Sequence, residues 1–139
     1  MKKVSVSDVI LLVLSLILVV GSHVAFHACA AKPDGSWMVC HWAEHVVTAL
    51  GAVFAVLSVA RFFFAGKTKA GISLSFVPLA VVTALVPGVI VNLCMMKDMH
   101  CHTVMRPAVV VLSILIAIVS AVDFLVQCKT ASADTSAAQ

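Results

Sequence analysis

Residues 107–126 read PAVVVLSILIAIVSAVDFLV, and this stretch decides the fold class. Asp123 is the one charged side chain in the run. An α-helix of about 20 residues crosses the roughly 30 Å of hydrocarbon in a bilayer. Because backbone polar groups in lipid must be satisfied within the segment itself, a run of this length and composition predicts a transmembrane helix.

Three further apolar runs of similar length precede it, at residues 9–26, 46–64 and 72–93. Hydrophobic residues make up 63% of the 139-residue chain and charged residues 11%, whereas soluble domains are nearer half apolar and a quarter charged. This composition excludes a soluble globular domain and a disordered chain. The net charge of +3 is spread among apolar blocks, which excludes a nucleic-acid-binding face. We predict an all-α, integral membrane four-helix transmembrane bundle in contact with the lipid bilayer.

The connections between the runs are too short to hold a separate domain. They are 19, seven and 13 residues long, so residues 1–129 are predicted to form a single four-span domain. Residues 130–139 are mostly Ala, Ser and Thr, and we predict that they form a disordered tail. Lys2 and Lys3, followed by an apolar core, also resemble a cleavable signal peptide; an uncleaved first span is the expectation.

The distribution of Lys and Arg predicts the orientation, because cytoplasmic loops carry an excess of these residues. One side of the predicted bundle has six of them and the other side three. The first group is Lys2, Lys3, Arg61, Lys67, Lys69 and Lys129, and the second is Lys32, Lys97 and Arg106. We therefore expect both termini, and the tail, on the cytoplasmic side (N-in/C-in). On that side, Asp123 is expected to pair with Arg61 or Lys129.

Side chains that bind metal ions are concentrated on the opposite, outer side. All six histidines, four of the five cysteines and five of the six methionines lie there. The densest segment is residues 94–102, CMMKDMHCH, with seven potential ligands in nine residues. Histidines four apart also share a helix face, and this spacing occurs at His23 and His27 and again at His41 and His45.

The two outer loops also resemble each other. Each has an early cysteine, Cys29 or Cys94, and each ends in a Cys-His pair just before a helix. The pairs are Cys40-His41 and Cys101-His102. Two helical hairpins related by an axis along the membrane normal would bring these pairs together. We therefore predict that the pairs meet at the outer end of the bundle.

Thiolate and thioether ligands select soft ions such as Cu(I), while imidazole suits Zn, Cu and Fe. The outer loops therefore predict a transition-metal site, with Cu(I) as the first choice and Zn or Fe as alternatives. The predicted ligands are Cys40, His41, Cys94, Met95, Met96, Met99, Cys101 and His102.

Disulfide chemistry is the main alternative for the same cysteines, because the outer face of most bacteria is oxidising. The simplest pairing is Cys29–Cys40 with Cys94–Cys101, since each bond closes a short loop. Haem is disfavoured because the chain has no C-x-x-C-H. The sequence shows no nucleotide loop, Ser-His-Asp set or paired carboxylates, so we assign no catalytic residue and do not predict an enzyme.

Several of these motifs resemble those of a family of small four-span bacterial membrane proteins, domain of unknown function 4418. The resemblance covers nearly the whole chain and rests on Cys40-His41-Trp42, Cys94-Met95-Met96, Cys101-His102-Thr103 and Arg106-Pro107. It implies a multi-pass protein of the bacterial cytoplasmic membrane that works beside transporter permeases and ATPases.

The expected function is therefore that of an accessory or subunit of a membrane transport system that handles a transition metal at its outer face. The expected partner is a permease, an ATPase or a second copy of the chain. Two other functions stay open: a membrane thiol-disulfide protein, and a structural partner-binding subunit whose outer loops are stapled by disulfides.

The predicted orientation can be tested by labelling thiols on intact cells. After mild reduction, a membrane-impermeant thiol reagent is expected to label the outer-loop cysteines and to spare Cys128, which lies on the cytoplasmic side in this topology. Mass spectrometry of the labelled peptides is the measurement. Labelling of Cys128 alone would reverse the orientation.

Overall fold

In a computed structural model, the described residues form four long α-helices. The structure describes residues 5–25, 33–37, 39–64, 67–92 and 101–137. The helices are α1 (Val6–Val24), α2 (Val39–Phe63), α3 (Lys67–Leu85) and α4 (Arg106–Ala137). A short π-helical turn, Cys101–Met105, leads into α4. All four helices are long and apolar enough to cross a membrane, and the predicted all-α four-helix bundle is confirmed.

The helices form a closed ring. Helix α1 packs mainly on α2, and α3 mainly on α4; contacts between α1 and α4 and between α2 and α3 complete the ring. Helices α2 and α4 therefore occupy opposite corners. Because the four helices run in alternating directions, α1 begins and α4 ends at the same end of the bundle. We call this the terminal end, where α1 begins and α2 ends; the other is the loop end, where α2 and α4 begin.

The helix bounds depart from the hydropathy runs by more than five residues in three places. Helix α2 begins at Val39 rather than at residue 46, because its first two turns hold His and Glu side chains that lower the hydropathy without preventing a helix. Helix α3 ends at Leu85 rather than at residue 93, since Pro87 disfavours a helical conformation in the residue before it. Gly88 follows with φ +104° in the turn that leaves α3.

The third departure is at the end of the chain, where residues 130–137 continue α4 instead of forming the predicted disordered tail. Alanine is the strongest helix former, and this segment is rich in it. The hydroxyl groups of Thr130 and Ser132 each donate a hydrogen bond to the carbonyl oxygen four residues back, at 2.9 and 3.1 Å.

Buried positions follow a three-and-four spacing along each helix. In α1 they are Asp8, Leu11, Ser15, Leu18 and Ser22. This is the spacing of left-handed coiled-coil packing. Small residues at such positions let membrane helices approach closely. Gly51 is an example, because a Cβ atom there would lie 2.8 Å from Cγ2 of Val19.

The two hairpins, α1–α2 and α3–α4, place equivalent positions in the core. In α1 and α3 the buried positions are offset by 65 residues: Asp8 and Ser73, Leu11 and Phe76, Ser15 and Ala80, Leu18 and Thr83. In α2 and α4 the offset is 62: Ala43 and Met105, Val47 and Val109, Phe54 and Ile116, Ser58 and Ser120, Arg61 and Asp123. The register agrees with two hairpins related by an axis along the bundle.

The π-helical turn explains a one-residue mismatch in this register. The motifs Cys40-His41 and Cys101-His102 are 61 residues apart, one fewer than the offset of the buried positions that follow them. A π-turn holds one more residue than an α-turn, and the turn at Cys101–Met105 lies at this point. It takes up the extra residue, so both Cys-His motifs stand at the start of equivalent helices.

A buried ionic network joins all four helices at the terminal end. Arg61 of α2 is 1% exposed, and its Nη2 atom contacts a carboxylate on either side. One is Asp8 of α1, whose Oδ1 atom lies 2.9 Å away; the other is Asp123 of α4. Of the two partners predicted for Asp123, Arg61 and Lys129, the structure shows Arg61. Lys69 of α3 completes the network, with Nζ 2.5 Å from Oδ2 of Asp8.

Hydrogen bonds hold the two carboxylates in place. Oδ2 of Asp123 accepts from the hydroxyl of Ser73, at 2.8 Å, and from the amide of Gln127. Oδ2 of Asp8 accepts from the backbone N–H of Ser5, at 3.1 Å, which ties the network to the first turn of α1. Two carboxylates face two cations, so the cluster is neutral as a whole. Charges inside a membrane protein are costly unless paired in this way.

Removing the Arg61 guanidinium from this network is expected to destabilise the bundle strongly. Arg61→Met leaves Asp123 buried without a charged partner, and breaking a buried pair in this way costs about 3–5 kcal/mol of the free energy of unfolding. The measurement is equilibrium unfolding of the purified protein in detergent. Lys67→Ala is the control at the same end: Lys67 is exposed, and its loss is expected to change the free energy by less than about 0.5 kcal/mol. Equal effects of the two substitutions would contradict the assignment.

Candidate metal centre at the loop end

The first turns of α2 carry the best-defined part of the predicted metal site. His41 and His45 are one turn apart on the same face of the helix, and their Nε2 atoms lie 3.0 Å from each other. The rings meet edge to face, with centroids 4.4 Å apart. The indole ring of Trp37 stacks on His41 at a centroid distance of 4.2 Å and an interplanar angle of 18°. Trp37 therefore fixes the plane of the His41 imidazole.

A second polar contact links α1 and α2 beside this pair. Nδ1 of His23 lies 3.2 Å from Oε1 of Glu44, whose side chain is 11% exposed. Next to it, the hydroxyl groups of Ser22 and Thr48 share a hydrogen bond of 2.8 Å. A carboxylate that holds Nδ1 of a histidine leaves Nε2 available as a ligand, as in many metal sites. His23 is thus oriented at the same end of the bundle.

The second Cys-His motif lies in the π-helical turn before α4. His102 is half-buried there, and Met105, which closes the turn, is 1% exposed. Arg106 follows and lies over Gly88 of the turn that leaves α3, so that a Cβ atom at Gly88 would be 3.4 Å from the Arg106 Nε atom. A glycine at this position lets the start of α4 pack against the end of α3.

The other predicted ligands, and the cysteines of both predicted disulfides, fall mostly outside the residues and side chains that the structure describes. Cys29, Cys94, Met95, Met96 and Met99 lie outside the described residues, and for Cys40 and Cys101 the structure describes the backbone alone. The predicted bonds Cys29–Cys40 and Cys94–Cys101 therefore fall outside it as well. Among the side chains described, no group of three or more His, Cys, Asp or Glu is arranged to hold a metal ion.

The ring order of the helices bears on whether the two Cys-His motifs meet. Helices α2 and α4 begin at the same end but at opposite corners. Neighbouring helices pack about 8–10 Å apart, so opposite corners are separated by about 11–14 Å. The contacts described for His41 are with Trp37, Trp42 and His45 of its own hairpin. The meeting of the two motifs stays a prediction that needs side chains to reach across the bundle.

Sequence reasoning missed most of the network at the terminal end. Asp8, Ser73 and Gln127 lie far apart along the chain, and only the spacing of polar residues among buried positions, as at Asp8, Ser15 and Ser22, signals a shared core face. Cys128, at the same end, is a free and exposed thiol.

The fold and composition together define a multi-pass membrane protein with its ionic network at one end and its histidine-bearing helix starts at the other. Within this class the chain belongs to the family described as a domain of unknown function (DUF4418), which matches residues 11–126. Comparison with the curated proteins and with the solved structures found no match. The family match confirms the resemblance seen in the sequence motifs.

The spacing of α2 and α4 can be tested by cross-linking the two motif cysteines. In a variant that keeps only Cys40 and Cys101, a disulfide requires Cα atoms within about 7 Å, which is shorter than the diagonal of the bundle. Oxidation is therefore expected to leave the thiols free, while bis-maleimides that span about 8–13 Å join them across the diagonal. Peptide mass spectrometry detects the link. An efficient disulfide within one chain would show that the two helices are neighbours.

Proposed function

We propose that the protein is a metal-handling subunit of a bacterial membrane transport system. In this proposal it lies in the cytoplasmic membrane with both termini inside and holds a soft transition metal at its outer face, with Cu(I) as the first choice. The observation that carries the proposal is that α2 and α4 both begin at the loop end of one bundle. Cys40-His41 lies in the first turn of α2, and Cys101-His102 lies in the π-helical turn that leads into α4.

The donor set fits a soft ion. The outer segments combine cysteine, methionine and histidine, and the soft thioether ligands among them point to Cu(I) as the first choice. In the proposal, the first hairpin contributes Cys40 and His41, and the second contributes Cys101 and His102. The intervening segment adds Cys94, Met95, Met96 and Met99.

The packing of the core favours a binding subunit over a transporter that acts alone. Buried side chains fill the centre of the bundle from Arg61 at the terminal end, through Phe54 and Phe76, to Ala43 and Met105 at the loop end. Side chains packed to this depth occupy the path that a transported ion would follow. The proposal therefore assigns translocation to a partner, a permease or an ATPase, with a second copy of the chain as the other candidate.

Copper binding by purified protein tests this proposal. Under reducing conditions, a competition titration with a colorimetric Cu(I) chelator is expected to show about one tightly held Cu(I) per chain. Cys101→Ser with His102→Ala, or Cys40→Ser with His41→Ala, is expected to weaken binding at least about tenfold, because soft ligands are lost. Cys128→Ser is the matched control, since this exposed thiol lies at the opposite end.

The same samples separate the alternatives. Cu(I) binding unchanged in both double variants would contradict the proposal. If thiol counts before and after mild reduction then showed outer cysteines that exchange with a thiol donor, the thiol-disulfide function would replace it. Disulfides that resist exchange, together with co-purification of a partner, would instead favour the structural subunit.

A further inference from the structure

The imidazoles of His41 and His45 have the geometry of two neighbouring ligands of one metal ion. Their Nε2 atoms are 3.0 Å apart. Metal–imidazole bonds are about 2.0–2.1 Å long, so an ion bound to both nitrogens would have an N–metal–N angle of about 90–97°. A tetrahedral ion would need the nitrogens about 3.3 Å apart. The observed spacing is closer to that of a square-planar or octahedral ion.

The surroundings of the pair favour binding. Histidines at positions i and i+4 of a helix present both rings on one face, the spacing used in helical zinc motifs. Trp37 stacks on His41 and limits the rotation of that ring. His45 is exposed, so the remaining coordination positions of an ion are open to water.

We propose that His41 and His45 bind a divalent transition-metal ion, Cu(II) in first place and Ni(II) next, with water as the other ligands. Both ions favour tetragonal N and O coordination, and Cu(II) forms the most stable complexes of the first-row divalent series. On binding, both imidazoles stay neutral and coordinate through Nε2, and in the ring whose Nε2 carried the N–H proton that proton moves to Nδ1. The inference goes beyond the proposed function because it needs no thiol or thioether and shares only His41 with the soft-metal site.

Trp37 supplies the readout, because Cu(II) bound to an imidazole that is stacked on an indole quenches the indole fluorescence. The chain used is full length, with its five cysteines replaced by serine and with Trp42→Phe, so that Trp37 is the sole tryptophan. Titration with copper(II) chloride is expected to give saturable quenching at about one Cu(II) per chain. In His45→Ala the dissociation constant for Cu(II) is expected to rise at least about tenfold.

Two variants control for folding and for other histidines. Adding Val46→His to the His45→Ala chain keeps the number of imidazoles but turns the new ring about 100° around the helix, so affinity is expected to stay low. His27→Ala, which changes a histidine outside both proposed ligand sets, is expected to bind Cu(II) like the parent chain. Circular dichroism of each variant without metal checks that the bundle remains helical.

Pulsed electron paramagnetic resonance of the Cu(II) complex then counts the coordinated imidazoles, and two are expected. A single imidazole, or an affinity that His45→Ala leaves unchanged, would overturn the inference. Loss of Cu(I) binding with this Cu(II) site intact would count against the proposed function alone. Intact Cu(I) binding without the Cu(II) site would count against this inference alone.

Discussion

The structure depends on one guanidinium group shared between two carboxylates. Arg61 of α2 lies at the terminal end between Asp8 of α1, a neighbour of α2 in the ring, and Asp123 of α4, the helix at the opposite corner. Because Lys69 also contacts Asp8, every helix contributes a charged group to the cluster. An unpaired charge inside a membrane is energetically costly. The pairing of these four side chains therefore determines how the four helices come together at the terminal end. Apolar packing alone, which is similar against lipid and against protein, would not fix this arrangement.

The number and type of the elements could be predicted from sequence because they follow from the length of apolar runs. The helix bounds could not be predicted in this way. The first two turns of α2 are polar and have low hydropathy, although His41, Glu44 and His45 are helical. Hydropathy also does not indicate that Pro87 ends α3 early. Asp123 is a charge inside an apolar run, so the sequence predicts a basic partner for it, with Arg61 and Lys129 as the two candidates. No partner was predicted for Asp8, because it lies at the edge of its apolar run, where a carboxylate is ordinarily solvated.

The candidate site was predictable in chemistry but not in geometry. The sequence sorts its soft ligands to one side and repeats a Cys-His pair before two helices. It does not indicate that α2 and α4 stand at opposite corners, which follows from how the helices close into a ring. The four-residue spacing of His41 and His45 indicates a shared helix face, but it does not show that their Nε2 atoms lie 3.0 Å apart. That contact depends on the extension of α2 back to Val39, which carries both rings on one regular helix face.

The central claim is that the Arg61 cluster holds the terminal ends of all four helices together. Hydrogen–deuterium exchange of an Asp123→Asn variant in detergent tests it most directly, because it reads each helix separately. The account predicts faster exchange at the terminal ends of α1, α2, α3 and α4 together, and unchanged exchange over the first turns of α2, where His41 and His45 pair. Faster exchange confined to α4 would contradict it, since Asp123 would then stabilise its own helix and not the ring.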